Sequence, residues 1–259
     1  MRHLASNLIL ACIFPTFACA DVVTTRVEYK QGDTKLSGWL AYDDSVREAR
    51  PGVVVFPEWW GMTDYPKMRA TQLAKLGYVA FAADMYGDGK TTDDATEAGK
   101  LSSGVDPKTE IARAMAAYDQ LKSNSRVDAS RIAAIGYCFG GKVALDLARS
   151  GANLIAVVSF HGNLTTDHPE NASNIKGKVL ICTGAEDAFV PPAQVSAFED
   201  EMRKAKVDWQ VISYGGAHHA FTNPDADRHK IDNISYNAAA DRRSWEAMKS
   251  LFAEAFAGK

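Results

Sequence analysis

The sequence predicts one α/β domain with a mostly parallel central sheet, flanked by helices and preceded by an antiparallel hairpin. Short, continuous apolar runs such as 53–56 and 178–183 are typical of parallel strands whose two faces are both covered. Segments with helical spacing of apolar residues alternate with these runs along the chain. No low-complexity linker interrupts the 259 residues, which are enough for one full hydrophobic core.

The N-terminal half is predicted to begin with a hairpin. Residues 22–42 alternate between apolar and polar side chains in two runs that meet at a Gly-Asp turn, as antiparallel strands do. The segments that follow are predicted as a strand at 53–56, a helix at 65–76, a buried strand at 78–83, and a polar surface excursion or partly helical cap at 87–104. The β-α-β alternation of a parallel sheet therefore starts with the strand at 53–56.

The C-terminal half repeats the alternation. Asp106 followed by Pro107 is typical of a helix start, and a helix is predicted from there to residue 121. The later elements are strands at 131–136, 154–160, 178–183 and 208–214, and helices at 139–149, 192–204 and 236–256. Active sites of such sheets lie beyond the carboxyl ends of the strands, so functional residues are expected in the loops that follow them.

The N-terminus has the pattern of a cleaved secretory signal. A positively charged start precedes an apolar stretch at 8–14 and the small-residue site Ala18-Cys19-Ala20. The apolar stretch is shorter than the roughly 20 residues that span a bilayer. We expect cleavage near Ala20, a mature domain over residues 21–259, no transmembrane span, and a periplasmic or secreted location.

Cleavage near Ala20 would leave two cysteines, Cys138 and Cys182. Two thiols in an oxidising compartment could form a disulfide, but Cys182 lies in a predicted buried strand, so we expect both to be free. An alternative is that Cys19 carries a lipid. It is less favoured because Thr16, three residues earlier, stands where an aliphatic residue is usual.

Charge and composition exclude several classes of partner. The formal net charge is −3 and no basic stripe is present, so nucleic acid is not an expected partner. No set of Cys, His and carboxylate residues has the spacing of a closed metal site, and neither a metal nor another cofactor is expected. The oligomeric state cannot be read from one chain.

A cysteine lies at the turn between a predicted strand and a predicted helix. Residues 136–141 read Gly-Tyr-Cys-Phe-Gly-Gly, which is the G-x-S-x-G nucleophile turn with Cys138 in place of serine. Glycines are needed in so tight a bend because a Cβ would clash. The helix N-terminus places N–H groups near the sulfur and favours a thiolate. The alternative, a cysteine that only fills the core, is less favoured in this context.

Two further candidates follow strands at the same edge of the sheet. Asp187 lies in one such loop, with Glu186 as its alternative, and His219 lies in a glycine-containing loop, with His218 as its alternative. The order nucleophile, acid, histidine is that of α/β-hydrolases. His161 also follows a strand, but no second motif involves it, and we interpret it as structural.

Four segments together resemble the dienelactone hydrolase family of α/β-hydrolases. They are residues 136–141, Gly184-x-x-Asp187 with the later Pro191, His219-Ala220-Phe221, and Pro57-Glu58-Trp59-Trp60-Gly61. The likeness covers nearly all of the mature chain. It implies an α/β-hydrolase fold and hydrolysis of a small ester or lactone, and it favours His219 over His218.

The resemblance also implies roles for these residues. Cys138 would attack the ester carbonyl to form a thioester, His219 would transfer the proton and then activate water, and Asp187 would fix the imidazole. Glu58 would pair with the thiol at rest and help to form the thiolate when substrate arrives. That role requires burial to raise the pKa of the carboxyl group, and Trp59 and Trp60 are the expected apolar walls.

Several groups are expected to contact the substrate. The backbone N–H groups of Phe139 and Trp59 are the expected oxyanion donors. Trp60, Tyr86 and Phe221 are expected to line the site and to suit an apolar or aromatic substrate portion. For each of these three side chains, an ordinary core position is the alternative.

The sequence departs from the family where the substrate carboxylate would bind. The family's characterised enzymes hold it with two arginines, but the matching stretches, 84–88 and 222–224, contain none. An arginine supplies a bidentate, charge-assisted bond that Asn or Asp cannot replace, so dienelactone is not the expected natural substrate. Arg69, Lys90 and Arg228 are alternative cations, or else ordinary surface charges.

Two other functional hypotheses stay open at this point. The chain could be a non-catalytic protein of the α/β-hydrolase fold that binds a small molecule or a partner, since fold does not fix function. It could also be a serine-type esterase or a peptidase variant, which would be indifferent to thiol reagents or would cleave peptides.

Overall fold

The computed structural model describes residues 22–257, and their strands form one eight-stranded sheet. The strands are β1 (Val22–Gln31), β2 (Thr34–Asp43), β3 (Arg50–Phe56), β4 (Val79–Ala82), β5 (Val127–Tyr137), β6 (Ala156–Phe160), β7 (Lys178–Gly184) and β8 (Trp209–Tyr214). Their order across the sheet is β1-β2-β4-β3-β5-β6-β7-β8. β1 pairs antiparallel with β2, β2 pairs antiparallel with β4, and the remaining pairs are parallel. The predicted α/β class with an N-terminal hairpin is confirmed.

Helices cover both faces of this sheet. They are α1 (Asp64–Lys75), α2 (Ala95–Ser103), α3 (Pro107–Lys122), α4 (Phe139–Arg149), α5 (Pro192–Ala205) and α6 (Ala238–Ala257), with short 3-10 helices at Pro169–Asn174 and Ala226–His229. Alternate residues of β3 pack into two different hydrophobic cores, one on each face of the sheet. Val54 packs on the side of α3, α4 and α5, whereas Val53 packs on the side of α1 and α6. The continuous apolar run of this strand therefore has the two-sided burial that its composition predicts.

The start of β5 differs from the sequence prediction. β5 begins at Val127 because a register shift lets β3 pair first with Val127 and then with Ile132, so the polar residues between them belong to the strand. The polar stretch 87–104, predicted as a surface excursion or a partly helical cap, contains α2 and so matches the second alternative. That helix is capped by Asp94, whose Oδ1 accepts a hydrogen bond from the N–H of Glu97 at 2.8 Å.

The predicted signal segment, residues 1–20, lies outside the described residues. Within the part of the chain that the structure describes, none of the helices combines the length and apolar character that a bilayer crossing requires.

Candidate active site

The turn from β5 into α4 holds Cys138 in a conformation that L-residues rarely adopt. Cys138 has φ 53° and ψ −117° and occupies the N-cap position of α4. The flanking glycines are required by close backbone contacts. A Cβ on Gly136 would lie 1.8 Å from the carbonyl oxygen of Gly140, and a Cβ on Gly140 would lie 2.3 Å from that of Phe56. The turn therefore has the tight geometry of a nucleophile elbow.

This geometry leaves the thiol free and accessible. Cys138 is half-buried and forms no disulfide. Its backbone N–H donates to the carbonyl oxygen of Phe160 at 3.0 Å and to Nδ1 of His161 at 3.1 Å. The N-terminus of α4 adds positive partial charge beside the sulfur, which favours a negative charge there.

His219 and Asp187 lie at the same edge of the sheet and are joined by a hydrogen bond. Nδ1 of His219 is 2.9 Å from Oδ2 of Asp187, and both residues are buried. The other carboxylate oxygen, Oδ1, accepts the backbone N–H groups of Phe189 at 2.8 Å and Val190 at 3.2 Å. The Asp187 side chain is therefore fixed by its own loop and directs one oxygen at the imidazole.

The charges around His219 favour the imidazolium form. Burial by itself lowers the pKa of His219, but the negative charge of the Cys138 thiolate and the hydrogen bond with Asp187 raise it to about 10. A positively charged imidazole beside the sulfur in turn stabilises a thiolate when one forms, as a cysteine nucleophile requires.

The two sequence alternatives lie elsewhere. Glu186 is exposed, and its Oε1 accepts the N–H of Gly216 at 3.1 Å. His218 is half-buried, with Nδ1 at 3.0 Å from Oγ of Ser235. Neither side chain hydrogen-bonds to the Asp187–His219 pair, so the geometry separates the candidates that the sequence alone left open.

Glu58 is buried in the loop after β3, with only 3 % of its surface exposed. Its Oε2 accepts a hydrogen bond from Nδ2 of Asn223 at 2.6 Å, and its Oε1 has no hydrogen-bond partner. Burial raises the pKa of Glu58 to about 7, although the Asn223 hydrogen bond and the positive charges of His219 and Arg69 act in the opposite direction. The resemblance implied a contact between Glu58 and the resting thiol; here the hydrogen-bonded partner of Glu58 is Asn223.

Aromatic rings surround the expected oxyanion donors. Trp59 and Phe139 are both half-buried. The hydroxyl of Tyr86 donates to the carbonyl oxygen of Trp59 at 2.9 Å, and its ring stacks on Phe139 with centroids 6.0 Å apart. Tyr86 thus connects the two backbone segments that carry the expected N–H donors.

Trp60 and Phe221, expected as substrate contacts, are both buried. Trp60 is buried, and its ring stacks on His229 at 3.9 Å. Phe221 is fully buried and packs against His161 with ring centroids 5.2 Å apart. A fully buried ring has no face for a substrate, so Phe221 corresponds to the core alternative.

One exposed aromatic residue at the site was not predicted. Phe189 is 49 % exposed, and its ring centroid lies 5.0 Å from that of His219. The available signal was a large apolar residue in a polar loop, two positions after Asp187.

The candidate substitute cations do not point to a carboxylate-binding site. Arg69 is buried behind the site, and its guanidinium donates to the carbonyl oxygen of Thr222 at 2.7 Å. Lys90 is exposed, and Arg228 forms an exposed ion pair with Asp93. Over residues 22–257, no group of three or more His, Cys, Asp or Glu side chains is arranged to hold a metal ion.

Comparisons with known proteins identify the family that the sequence matches. A family model described as the dienelactone hydrolase family matches residues 36–256. A protein of Aquifex aeolicus, provisionally named a carboxymethylenebutenolidase, is 32 % identical over 234 residues, which cover 87 % of this chain and 96 % of that protein. Protein usf of Aquifex pyrophilus is 30 % identical over 88 % of this chain and 97 % of its own length.

Solved structures show the same fold. A dienelactone hydrolase-like promiscuous phosphotriesterase from metagenomic libraries is 44 % identical, with a TM-score of 0.87 over 90 % of this chain and 98 % of that chain. A Klebsiella pneumoniae structure assigned to the dienelactone hydrolases, at 22 % identity, has a TM-score of 0.78 with the same coverage of both chains, and it is similar in fold.

Proposed function

The chain belongs to the dienelactone hydrolase family, and from that premise we propose that it hydrolyses a small carboxylic ester or lactone through a thioester on Cys138. One observation carries the proposal. The buried Asp187–His219 pair is held at 2.9 Å next to a half-buried thiol on a strained turn. A candidate nucleophile, a candidate base and a candidate orienting acid thus lie together, as acyl transfer requires.

In the first half-reaction, the thiolate sulfur of Cys138 forms a bond to the carbonyl carbon, and the carbonyl oxygen becomes an oxyanion. The backbone N–H groups of Phe139 and Trp59 are the proposed donors to that oxygen. The tetrahedral centre then breaks its bond to the leaving oxygen, which takes the proton from Nε2 of His219. The products of this step are a thioester on Cys138 and a free alcohol.

The second half-reaction reverses these roles. Neutral His219 removes a proton from water while the water oxygen attacks the thioester carbonyl. Collapse releases the carboxylic acid and restores the thiolate beside the imidazolium. Asp187 keeps Nδ1 protonated throughout, so that Nε2 faces the reacting atoms.

Glu58 is the proposed second proton carrier. With a pKa of about 7, its carboxyl group can both accept and donate a proton near neutrality. The unpartnered Oε1 is available for this role while Asn223 holds Oε2. We propose that Glu58 exchanges a proton with the thiol when the substrate enters.

The side chains at the site favour an uncharged substrate with an apolar or aromatic portion. Phe189 offers an exposed ring beside His219, and Trp59 and Phe139 are partly accessible. The stretches 84–88 and 222–224, which match the positions where the family holds a substrate carboxylate with arginines, contain no arginine. Aryl phosphotriesters are a second candidate, because the 44 % identical relative is described as a promiscuous phosphotriesterase and a thiolate can also attack phosphorus.

The test is a panel of p-nitrophenyl esters, small lactones, a dienelactone, an aryl phosphotriester and a peptide, assayed with and without prior iodoacetamide. The proposal predicts turnover of neutral esters that alkylation of Cys138 abolishes. Turnover that survives complete alkylation would point to a serine-type enzyme. An alkylated thiol with no turnover of any substrate would favour the non-catalytic binding hypothesis.

We also propose that the protein is exported and that its signal is cleaved near Ala20, on the pattern of residues 1–20. The N-terminal sequence and mass of the protein recovered from a periplasmic or culture fraction test this directly. A lipid attached at Cys19 would instead identify a lipoprotein.

A further inference from the structure

His161 is a fully buried histidine that the proposed mechanism does not use. It follows β6 directly, has 0 % exposure and adopts a positive φ of 42°. Its ring lies edge-on to that of His219, with centroids 5.2 Å apart. A buried imidazole in a strained backbone position requires compensating contacts.

The hydrogen bonds of His161 fix its tautomer. The backbone N–H of Cys138 can only donate, so Nδ1 of His161 must accept, at 3.1 Å. The proton of the neutral ring is therefore on Nε2, which donates to Oγ1 of Thr222 at 2.7 Å. Burial, together with the positive charges of His219 and Arg69, holds the pKa of His161 well below its usual value, so the ring stays neutral.

These two bonds connect separate parts of the site. Cys138 lies on the turn between β5 and α4, whereas Thr222 lies three residues after His219 in the loop that carries the imidazole. Thr222 is 1 % exposed, and its Oγ1 has a second partner, the hydroxyl of Tyr65, at 2.6 Å. The imidazole ring of His161 therefore joins the nucleophile turn to the histidine loop.

We infer that His161 is a positioning residue that sets the distance between the Cys138 sulfur and the His219 imidazole. This inference rests on the proposed function of these two groups. His161 is excluded from the reacting atoms by its burial, and it acts through the backbone of Cys138 and the side chain of Thr222. The bridge fails when either of its two hydrogen bonds is removed.

The test uses two variants that break the link between His161 and Thr222 from opposite sides. Thr222→Val removes Oγ1 with little change of shape and breaks the link to the histidine loop. His161→Asn keeps an acceptor near the position of Nδ1 and tolerates positive φ, but it is too short to reach Thr222. Tyr65→Phe is the matched control, because it removes the second partner of Oγ1 and leaves the bond between His161 and Thr222 intact.

We expect kcat on a p-nitrophenyl ester to fall about tenfold in Thr222→Val and in His161→Asn, the effect of roughly one hydrogen bond. KM should stay within about twofold. The double variant should be no slower than either single variant, because both changes cut the same link. Tyr65→Phe should retain kcat within about twofold.

Additive losses in the double variant, or an unchanged kcat in folded Thr222→Val, would overturn the inference. If His161→Asn does not fold, the comparison of Thr222→Val with Tyr65→Phe decides it. The rate of Cys138 alkylation by iodoacetamide at neutral pH is read in parallel, since it needs no substrate. A wild type without ester turnover contradicts the proposed function alone, and the inference then stands if Thr222→Val slows alkylation while Tyr65→Phe does not.

Discussion

The two cysteines of residues 22–257 show how position in the sheet decides what a thiol can do. Cys182 lies within β7 and is fully buried, and its sulfur is 3.7 Å from the hydroxyl of Tyr214. Burial raises the pKa of Cys182 to about 12, so this thiol stays neutral. Cys138 lies one step beyond the end of β5, on a strained turn at a helix start, and faces a histidine. The same side chain is core in one place and a nucleophile candidate in the other.

The largest expected effect separates these two cysteines directly. Cys138→Ala should lower kcat/KM for a p-nitrophenyl ester by about 10⁴-fold or more, because the proposed acyl intermediate forms on the sulfur that this change removes. Cys182→Ala should retain kcat within about twofold and should lower the free energy of unfolding by about 1 kcal/mol, because it leaves a small cavity. Steady-state kinetics and denaturant unfolding measure both effects. A Cys138→Ala enzyme with native rates would contradict the proposed role of Cys138 as the nucleophile.

The next effect concerns the acid that orients His219. Asp187→Asn should lower kcat by about 10³-fold, since the amide no longer holds the required imidazole tautomer. Glu186→Gln is the matched control in the neighbouring position, and its kcat should change by less than about twofold because the side chain is exposed. Equal losses of kcat in both variants would contradict the role of Asp187 as the acid that orients His219.

Glu58 should be visible in the pH dependence. Its pKa is about 7 in the folded protein and near 4.5 when unfolded, so the folded state binds the extra proton between these values. Its contribution to stability is therefore largest below about pH 4.5 and is lost as the pH rises through 7. The unfolding free energy of wild type, relative to Glu58→Gln, should fall between pH 5 and 8. Parallel stability curves for the two proteins would exclude the raised pKa.

The same variant should change the activity. We expect kcat/KM to fall about tenfold at neutral pH in Glu58→Gln, with loss of an inflection near pH 7.

The smallest effect tests Phe189, the exposed aromatic residue beside His219. If Phe189 contacts bound substrate equally in the ground state and the transition state, Phe189→Ala should raise KM about fivefold for an aryl ester and leave kcat nearly unchanged. Alkyl esters should be affected less. Leu76→Ala is the control, since Leu76 is the other large exposed apolar residue of the described chain and lies at the end of α1. An unchanged KM for aryl esters in Phe189→Ala would remove Phe189 from the substrate site.

Much of this arrangement could be predicted from local sequence. Residues 136–141 require glycines at fixed positions: a Cβ on Gly136 or Gly140 would lie within 2.3 Å of a backbone oxygen, and one on Gly141 would lie 2.5 Å from Oγ of Ser159. Asp187 and His219 follow strands, and the parallel sheet brings such loops to one edge. These features depend on chain-local geometry and on a general rule of topology.

Other features depend on contacts between distant segments and could not be predicted. Glu58 bonds to Asn223, which lies 165 residues later in the chain, and His161 reaches Thr222 across 61 residues. Phe221 was expected to line the site and Phe189 was not, and only the fold shows that the first is buried and the second is exposed beside His219. Burial of a loop residue depends on which segments pack over it, and periodicity contains no such information.

The most direct measurement is to trap the acyl-enzyme. A folded His219→Gln variant should form the thioester slowly and hydrolyse it more slowly still, because the base that activates water is missing. After brief exposure to an aryl ester, intact mass spectrometry with peptide mapping should find one acyl group, on Cys138 and removable by hydroxylamine. An acyl group on a serine, or ester turnover by the wild type without any acylated Cys138 in either protein, would contradict the account.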